Sequence, residues 1–322
     1  VRRLHRRRRD PAVTACRICL DDVGGDDTYH PRCARSLFGA PHAPRIEIEL
    51  AKLHTAGLAM VGHTSISGIQ RKISVGLSTD RATLQVATEG GRYILKPAGE
   101  TFPHLPENEH ATMRLAALAG IEIPPCGLVS LADGSLAFLT RRFDRLDSGR
   151  KVRQEDFCQL VEKSPKEKYQ GSAELCVRLL RRYASEPLIE ILKLYRLLVF
   201  AWWTGNGDLH LKNLSIVSGE DGRHRLSPAY DLLCTRLVIP DDPLALPVGG
   251  KRDRLDRSTW LELADYAGLR RPAAERVLDT LASRLEPALG AVGRSLLPAD
   301  MREAYARLLE ARTALLGAGR DA

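Results

Sequence analysis

The spacing of apolar residues divides this chain into two kinds of segment. Between 73 and 141, short apolar runs bounded by Gly, Pro, Ser and Asp predict strands near 73–78, 83–88, 93–97, 126–132 and 136–141. Among them, Glu107 to Gly120 carries apolar residues at helical spacing and stops at a glycine, predicting one helix that begins near Pro106. Beyond 144 the helical period dominates, with helices expected near 154–163, 172–184, 187–205, 258–268, 273–289 and 299–316. A chain of 322 residues exceeds one ordinary core. That length allows one large or two small lobes, and an α+β chain of two lobes fits the pattern: a β-rich N-lobe over 45–143 and a mostly α-helical C-lobe over 144–322, preceded by a tail and small knuckle over 1–44.

The run Leu194 to Trp203 is too short for a bilayer, which takes about 20 apolar residues, and Arg196 interrupts it. It reads as a buried helix that feeds the next loop, Gly205-Asn206-Gly207-Asp208-Leu209-His210-Leu211-Lys212-Asn213. Protein kinases place a catalytic Asp, then four residues, then an Asn, so that the Asp meets the substrate hydroxyl and the Asn binds magnesium. Asp208 and Asn213 reproduce that spacing. Two short strands with a Gly-containing turn between them follow, and they return Asp231 beside Asn213 as a second metal-binding candidate. Singly, these residues read as a turn residue, a strand opener and a solvated acid. Together they point to phosphoryl transfer.

An upstream lysine extends the constellation. Tyr93-Ile94-Leu95-Lys96-Pro97 is an apolar strand ending in a cation, which suits a lysine held by a sheet against nucleotide phosphates. Its expected ion-pair partner is Glu109 on the following helix, with Glu107 second. Before it, His63 to Lys72 gathers Ser65, Ser67, Gly68, Gln70 and Lys72, small or polar residues fit to cover phosphates. It has neither the three glycines of a protein-kinase loop nor a P-loop ending, and a plain surface turn fits it equally.

These segments resemble the HipA-like serine/threonine kinases, toxin components of bacterial toxin–antitoxin systems, and among them the short HipT-type form. The resemblance runs from about Ser65 to the C-terminal helices, through seven collinear segments that include Ser65 to Lys72, Ile94 to Pro97, Glu107 to Met113, Arg142 to Arg145 and Gly205 to Asn213. It implies a protein-kinase-like fold that uses ATP and Mg2+. Asp208 would be the catalytic base, Asn213 and Asp231 the metal ligands, and Lys96 the phosphate lysine. Arg141 to Phe143 would form the hinge beside adenine. Lys212 would neutralise charge on the transferred group, while His210 packs or hydrogen-bonds within the catalytic loop. Ser65 and Ser67 would be autophosphorylation positions, where a phosphate adds about −1.5 to −2 charges and repels the triphosphate. The implied partners are a protein substrate such as an aminoacyl-tRNA synthetase, a DNA-binding antitoxin and a separate small inhibitor protein. Two departures stand out: Leu232-Leu233 where eukaryotic kinases have Phe-Gly, and Arg71 where the family most often has Pro.

Charge changes the picture little. The formal net charge of +8 comes mostly from six arginines among the first nine residues; without them 42 Lys and Arg face 40 Asp and Glu, leaving +2. Such a run is more often a solvated tail than a nucleic-acid-binding arm. No apolar stretch of signal-peptide type follows it, so a cytoplasmic location is expected. The first Met stands at position 60, which leaves an over-extended reading frame as a third reading of that start.

Seven cysteines in such a chain argue against a disulfide framework. Cys16-x-x-Cys19 and His30-x-x-Cys33 offer three thiolates and an imidazole in two close pairs, compatible with a structural Zn2+ site or with a small packed knuckle. Two other functions compete with a protein kinase: a non-enzymatic kinase-fold module that binds an antitoxin, and a small-molecule kinase. The complete set Lys96, Asp208, Asn213 and Asp231 argues against the first, and the lack of an acidic run in the C-lobe against the second.

Overall fold

The structure, a computed structural model, describes residues 14–24, 27–49, 71–99, 101–146, 148 and 150–317. The arginine-rich start and the loop residues Ser65, Ser67, Gly68 and Gln70 lie outside the described residues. A six-stranded sheet is built from β1 (Arg45–Ile46), β2 (Ile73–Leu77), β3 (Thr83–Val86), β4 (Tyr93–Pro97), β5 (Cys126–Ser130) and β6 (Leu136–Arg141), in the order β1-β3-β2-β4-β6-β5. Successive side chains of a strand face opposite ways, and that alternation decides what each face becomes. Tyr93 and Leu95 of β4 join Ile73, Val75, Val129 and Leu139 in one apolar core. Ile94 and Lys96 face the other way, beside Phe138 and Thr140 of the neighbouring strand β6.

Each face has its own cover. On the first lies the knuckle with its helix α1 (Pro31–Phe38), which contributes Cys16, Ile18, Ala34, Leu37 and Phe38 to the core. On the second lies α2 (Leu105–Leu118), nearly all of it buried. Its end is closed by Gly120, at a left-handed φ of 71°, whose carbonyl accepts from the Arg196 guanidinium at 3.0 Å. Arg196, the single charge in the apolar run, thus holds the C-terminus of α2.

The remaining chain is mostly helical: α3 (Phe157–Leu160), α4 (Ala173–Tyr183), α5 (Pro187–Trp203), α6 (Arg257–Tyr266), α7 (Arg271–Ala282), α8 (Leu285–Arg294) and α9 (Ala299–Gly317). The last two turns of helix α5, from Leu197 to Trp203, are apolar on all sides because they run through the core, with Phe200, Trp202 and Trp203 buried. A small sheet of β7 (Gln154–Asp156), β8 (Ser215–Ser218) and β9 (His224–Leu226) sits where the two parts of the chain meet.

Two expectations need correction. The helix expected over 154–163 is a strand followed by one short helix, because Gln154 to Asp156 pairs with Val217 to Ser215 and the Asp156 capping box starts the helix only at Phe157. The helix expected over 273–289 is two helices. In a continuous helix Pro287 has no N–H to offer the Ser283 carbonyl, so the chain turns at 283–284 and restarts with Pro287 in the first turn of α8. The other predicted elements lie within a few residues of their expected bounds, and among the described residues no helix is long and apolar enough to cross a membrane.

Candidate active site

Strand β4 delivers Lys96 into the space between the sheet and α2, where 3% of it is exposed. Its ammonium donates to Glu109 of α2 at 2.5 Å and to Asp231, and lies 5.4 Å from the centre of the Phe138 ring. Lys72 donates to the second oxygen of Asp231. Burial opposes the charge on Lys96, but Asp231 and Glu109 outweigh it and raise its pKa above the usual lysine value. Burial likewise opposes the charge on Asp231, yet the Lys72 and Lys96 ammoniums hold its carboxyl well below the usual carboxylate range. Glu109 is pushed up by burial, with Lys96 pulling against it. Glu107 instead faces His104 at 3.4 Å.

These groups open onto a cavity of about 200 Å³. Its lining combines the charged Lys96, Glu109, Asp231 and Lys72, the apolar Ile94, Met113, Phe138 and Phe143, and the charged Arg141, Arg142 and Asp144. Phe143 rests against Tyr230, ring centres 5.5 Å apart, at the crossing between the two lobes. Arg142 grips Asp144 through two hydrogen bonds of 2.8 and 2.7 Å, and Arg145 adds a third at 2.6 Å, which stiffens that crossing.

Asp208 lies in the loop after α5, shaped by its neighbours. Gly205 leaves the helix at a left-handed φ of 69°. Asn206 accepts from the Asp208 N–H at 2.9 Å, and Gly207 donates to Thr235 at 2.8 Å. A Cβ at Gly207 would lie 2.0 Å from an Asp242 carboxylate oxygen and 2.7 Å from the Pro243 carbonyl, so only glycine fits. Asn213 donates its amide N–H to the Asp208 carbonyl at 2.9 Å, which leaves the amide oxygen as its acceptor. Asp231 itself sits at φ 56°, a conformation Asp tolerates better than most residues.

Asp208, His210, Lys212 and Asn213 are not among the residues lining the cavity, but they are tied to it. The Tyr230 hydroxyl, next to Asp231, donates to the Lys212 carbonyl at 2.9 Å. Lys168, which sequence reading missed, stands in the field of both centres. Burial lowers its pKa, the Asp208 and Asp231 carboxylates pull it up, and the Lys212 and Lys72 ammoniums push it down. Tyr169, also missed, donates to an Asp208 carboxylate oxygen at 2.6 Å; burial and that bond raise its pKa, keeping the phenol protonated. His210 stacks edge-on against Tyr169 at 5.1 Å. Burial, helped by Lys168, lowers its pKa to about 3, so the imidazole is neutral.

A further missed residue is Asn108. Its side chain donates to the Cys234 carbonyl and accepts from the Cys234 N–H, both at 2.8 Å, clasping α2 to the segment after Asp231. At a separate place, the ligand atoms of Cys16, Cys19, His30 and Cys33 all lie within 4.8 Å of one another, a group able to hold a metal.

The profile of the HipA-like C-terminal domain matches residues 64–289. The chain belongs to the HipA-like C-terminal domain family. Y4mE of Sinorhizobium fredii (strain NBRC 101917 / NGR234), named as a candidate kinase, is 32% identical over 240 residues, covering 71% of this chain and 56% of that protein. A protein of Haemophilus influenzae, likewise named as a candidate kinase, is 33% identical over 181 residues, 52% of each. The chain thus spans about half the length of the curated relatives it matches. Its fold resembles a chain of the Shewanella oneidensis MR-1 toxin–antitoxin complex of HipA, HipB and operator DNA, at TM-score 0.70 and 20% identity over 86% of this chain and 74% of that one. It also resembles the Helicobacter pylori proinflammatory kinase CtkA, at TM-score 0.53 and 11% identity over 76% of this chain and 90% of that one. The α+β fold is therefore kinase-like.

Proposed function

We propose that this chain is an ATP-dependent kinase that phosphorylates serine or threonine hydroxyls of a protein, and that it is the toxin of a toxin–antitoxin pair. The observation that carries the reading is Lys96, bridging Glu109 and Asp231 in a cavity also lined by the apolar Ile94, Met113, Phe138 and Phe143. That arrangement suits a nucleotide with its base against those apolar side chains and its phosphates at Lys96. In this reading Asp208 accepts the proton of the acceptor hydroxyl, and Lys212 and Lys168 offset negative charge that develops on the transferred group.

The donor set fits Mg2+, a cation that prefers oxygen. Asp231 already has positive charge at both carboxylate oxygens, and Asn213 keeps its amide oxygen after donating its N–H. When bound there, Mg2+ would neutralise charge on the phosphate oxygens. Arg141 and Phe143 serve as the adenine-side hinge, with Ser65, Ser67, Gly68 and Gln70 as the phosphate cover and autophosphorylation region. A DNA-binding antitoxin is the expected partner, in keeping with the HipB-bound relative. An aminoacyl-tRNA synthetase is the expected class of target.

The test is phosphate transfer from labelled ATP with Mg2+ into a bacterial lysate, comparing the wild type with Asp208→Asn. Because asparagine still accepts from Tyr169, the variant should melt within about 1 kcal/mol of wild type yet lose roughly 10²- to 10⁴-fold in transfer rate. Equal labelling of the same bands by both proteins removes Asp208 from this role.

A further inference from the structure

The knuckle holds four ligand-type side chains that the proposed phosphoryl-transfer chemistry does not use. Cys19 Sγ lies 3.3 Å and Cys33 Sγ 3.8 Å from His30 Nδ1. Zinc bonds of about 2.3 Å to sulfur and about 2.0 Å to nitrogen place tetrahedral S···N pairs roughly 3.5 Å apart. The two distances bracket that value. Three thiols and an imidazole with no carboxylate form a closed, sulfur-rich set of the kind that selects zinc over magnesium or calcium.

A second observation points the same way. His30 Nε2 donates to the Asp22 carbonyl at 2.9 Å. That bond fixes the proton on Nε2 and leaves Nδ1, the atom facing the sulfurs, with its lone pair free to bind a metal. Metal-binding histidines are commonly oriented this way by an outer carbonyl or carboxylate. Among the described residues of the knuckle the only helix is the eight-residue α1, and the ligand-bearing stretch from Cys16 to His30 is held by turns and by packing on the sheet.

The turn between Cys16 and Cys19 is in turn the place where the knuckle meets the rest of the protein. The Arg17 carbonyl accepts from the Leu128 N–H of β5 at 2.8 Å, and the Tyr29 hydroxyl donates to the Leu128 carbonyl at 2.8 Å. The Ile18 carbonyl accepts from His110 Nε2 of α2 at 3.2 Å. The Leu20 carbonyl accepts from the Arg294 guanidinium of α8 at 2.8 Å. The fit is close, since a Cβ on Gly127 would lie 2.7 Å from Ile18 and 2.9 Å from the Arg17 carbonyl. One short turn therefore reaches β5, α2 and α8, and its contact on α2 is the residue after Glu109.

We propose that Cys16, Cys19, His30 and Cys33 bind one structural zinc ion, and that this ion makes the knuckle a strut holding α2 against the sheet. The strut keeps Glu109 within reach of Lys96; only the importance of that pair for transfer rests on the kinase reading. The site itself stands whether or not the chain is a kinase.

The experiment uses the full chain, produced with zinc in the medium and purified without chelator or metal column. Elemental analysis should find one zinc per chain, falling at least roughly tenfold in Cys19→Ser/Cys33→Ser. Should that variant fail to fold, the wild type stripped of zinc and given Co2+ should show thiolate-to-cobalt charge-transfer absorption. Wild type that takes up neither zinc nor cobalt overturns the site. Hydrogen exchange of the wild type before and after zinc removal then tests the strut: peptides over 105–118 and 126–130 should exchange faster, with those over 257–282 unchanged. Unaltered exchange over 105–118 after verified zinc loss overturns the strut while leaving the metal site standing. Neither measurement reads phosphate transfer, so failure of the kinase reading is seen separately.

Discussion

Asp231 and Asp208 are both enclosed carboxylates, but their surroundings differ. Asp231 faces two ammoniums, one on each oxygen, and its charge is fixed by them. Asp208 accepts a hydrogen bond from a neutral phenol, has a neutral imidazole 3.9 Å away, and interacts electrostatically with the Lys168 ammonium. Under the proposed kinase reading, Asp231 would hold negative charge for cations and Asp208 would offer a carboxylate oxygen to a hydroxyl. Phosphoryl transfer needs both kinds, and the chain builds each from a different part of itself.

The sharpest way to break this contrast is to remove the cation. Lys96→Met leaves Glu109 and Asp231 together in an enclosed space, and should cost about 3–5 kcal/mol in urea unfolding. A loss below about 1 kcal/mol would mean that the pair of acids is solvated and not held by charge.

Acid should separate the two carboxylates next. The folded pKa of Asp231 lies below its unfolded value of about 3.9, so its ion pairs stabilise the protein fully above that pH and the contribution fades as pH falls below about 4. Asp231→Asn should therefore be less stable than wild type at pH 7, with the gap narrowing on acidification below pH 4. A constant gap down to pH 2 would contradict the assigned charge state.

Tyr169→Phe probes the other side with the smallest effect. Because the phenol occupies an oxygen that an acceptor hydroxyl must reach, its removal should raise kcat/KM for the acceptor by up to about tenfold, with stability changed by about 1 kcal/mol or less. A lower kcat/KM would recast Tyr169 as a residue that positions Asp208.

Much of this was legible in the residues themselves. Alternation in Tyr93-Ile94-Leu95-Lys96 is enough to turn the lysine away from one core, and the Gly-Asn-Gly-Asp run after an apolar helix marks a tightly turned loop. The pairing of Lys96 with Glu109 followed from a strand and the next helix lying side by side. Lys168 and Tyr169 were not legible: they sit in Pro165 to Gly171, a polar stretch without periodicity, and gain meaning only from a loop some 40 positions onward. Asn108 was hidden for the same reason, since its partner at Cys234 is 126 positions away. The strand at 154–156 escaped because three residues are too few to display a period, and its identity comes from the strand it joins. The break near 283 was visible in Pro287 and was outweighed by the apolar spacing around it.

The Asn108 clasp has a mechanical consequence. Its two hydrogen bonds run in opposite directions between one side chain and the backbone N–H and C=O of one residue, so sliding strains both together. Glu109 and Asp231, the two acids that share Lys96, are anchored a few bonds from its opposite ends. The residue beside Glu109 and the segment just after Asp231 are thus tied together, so those two acids have one common anchor.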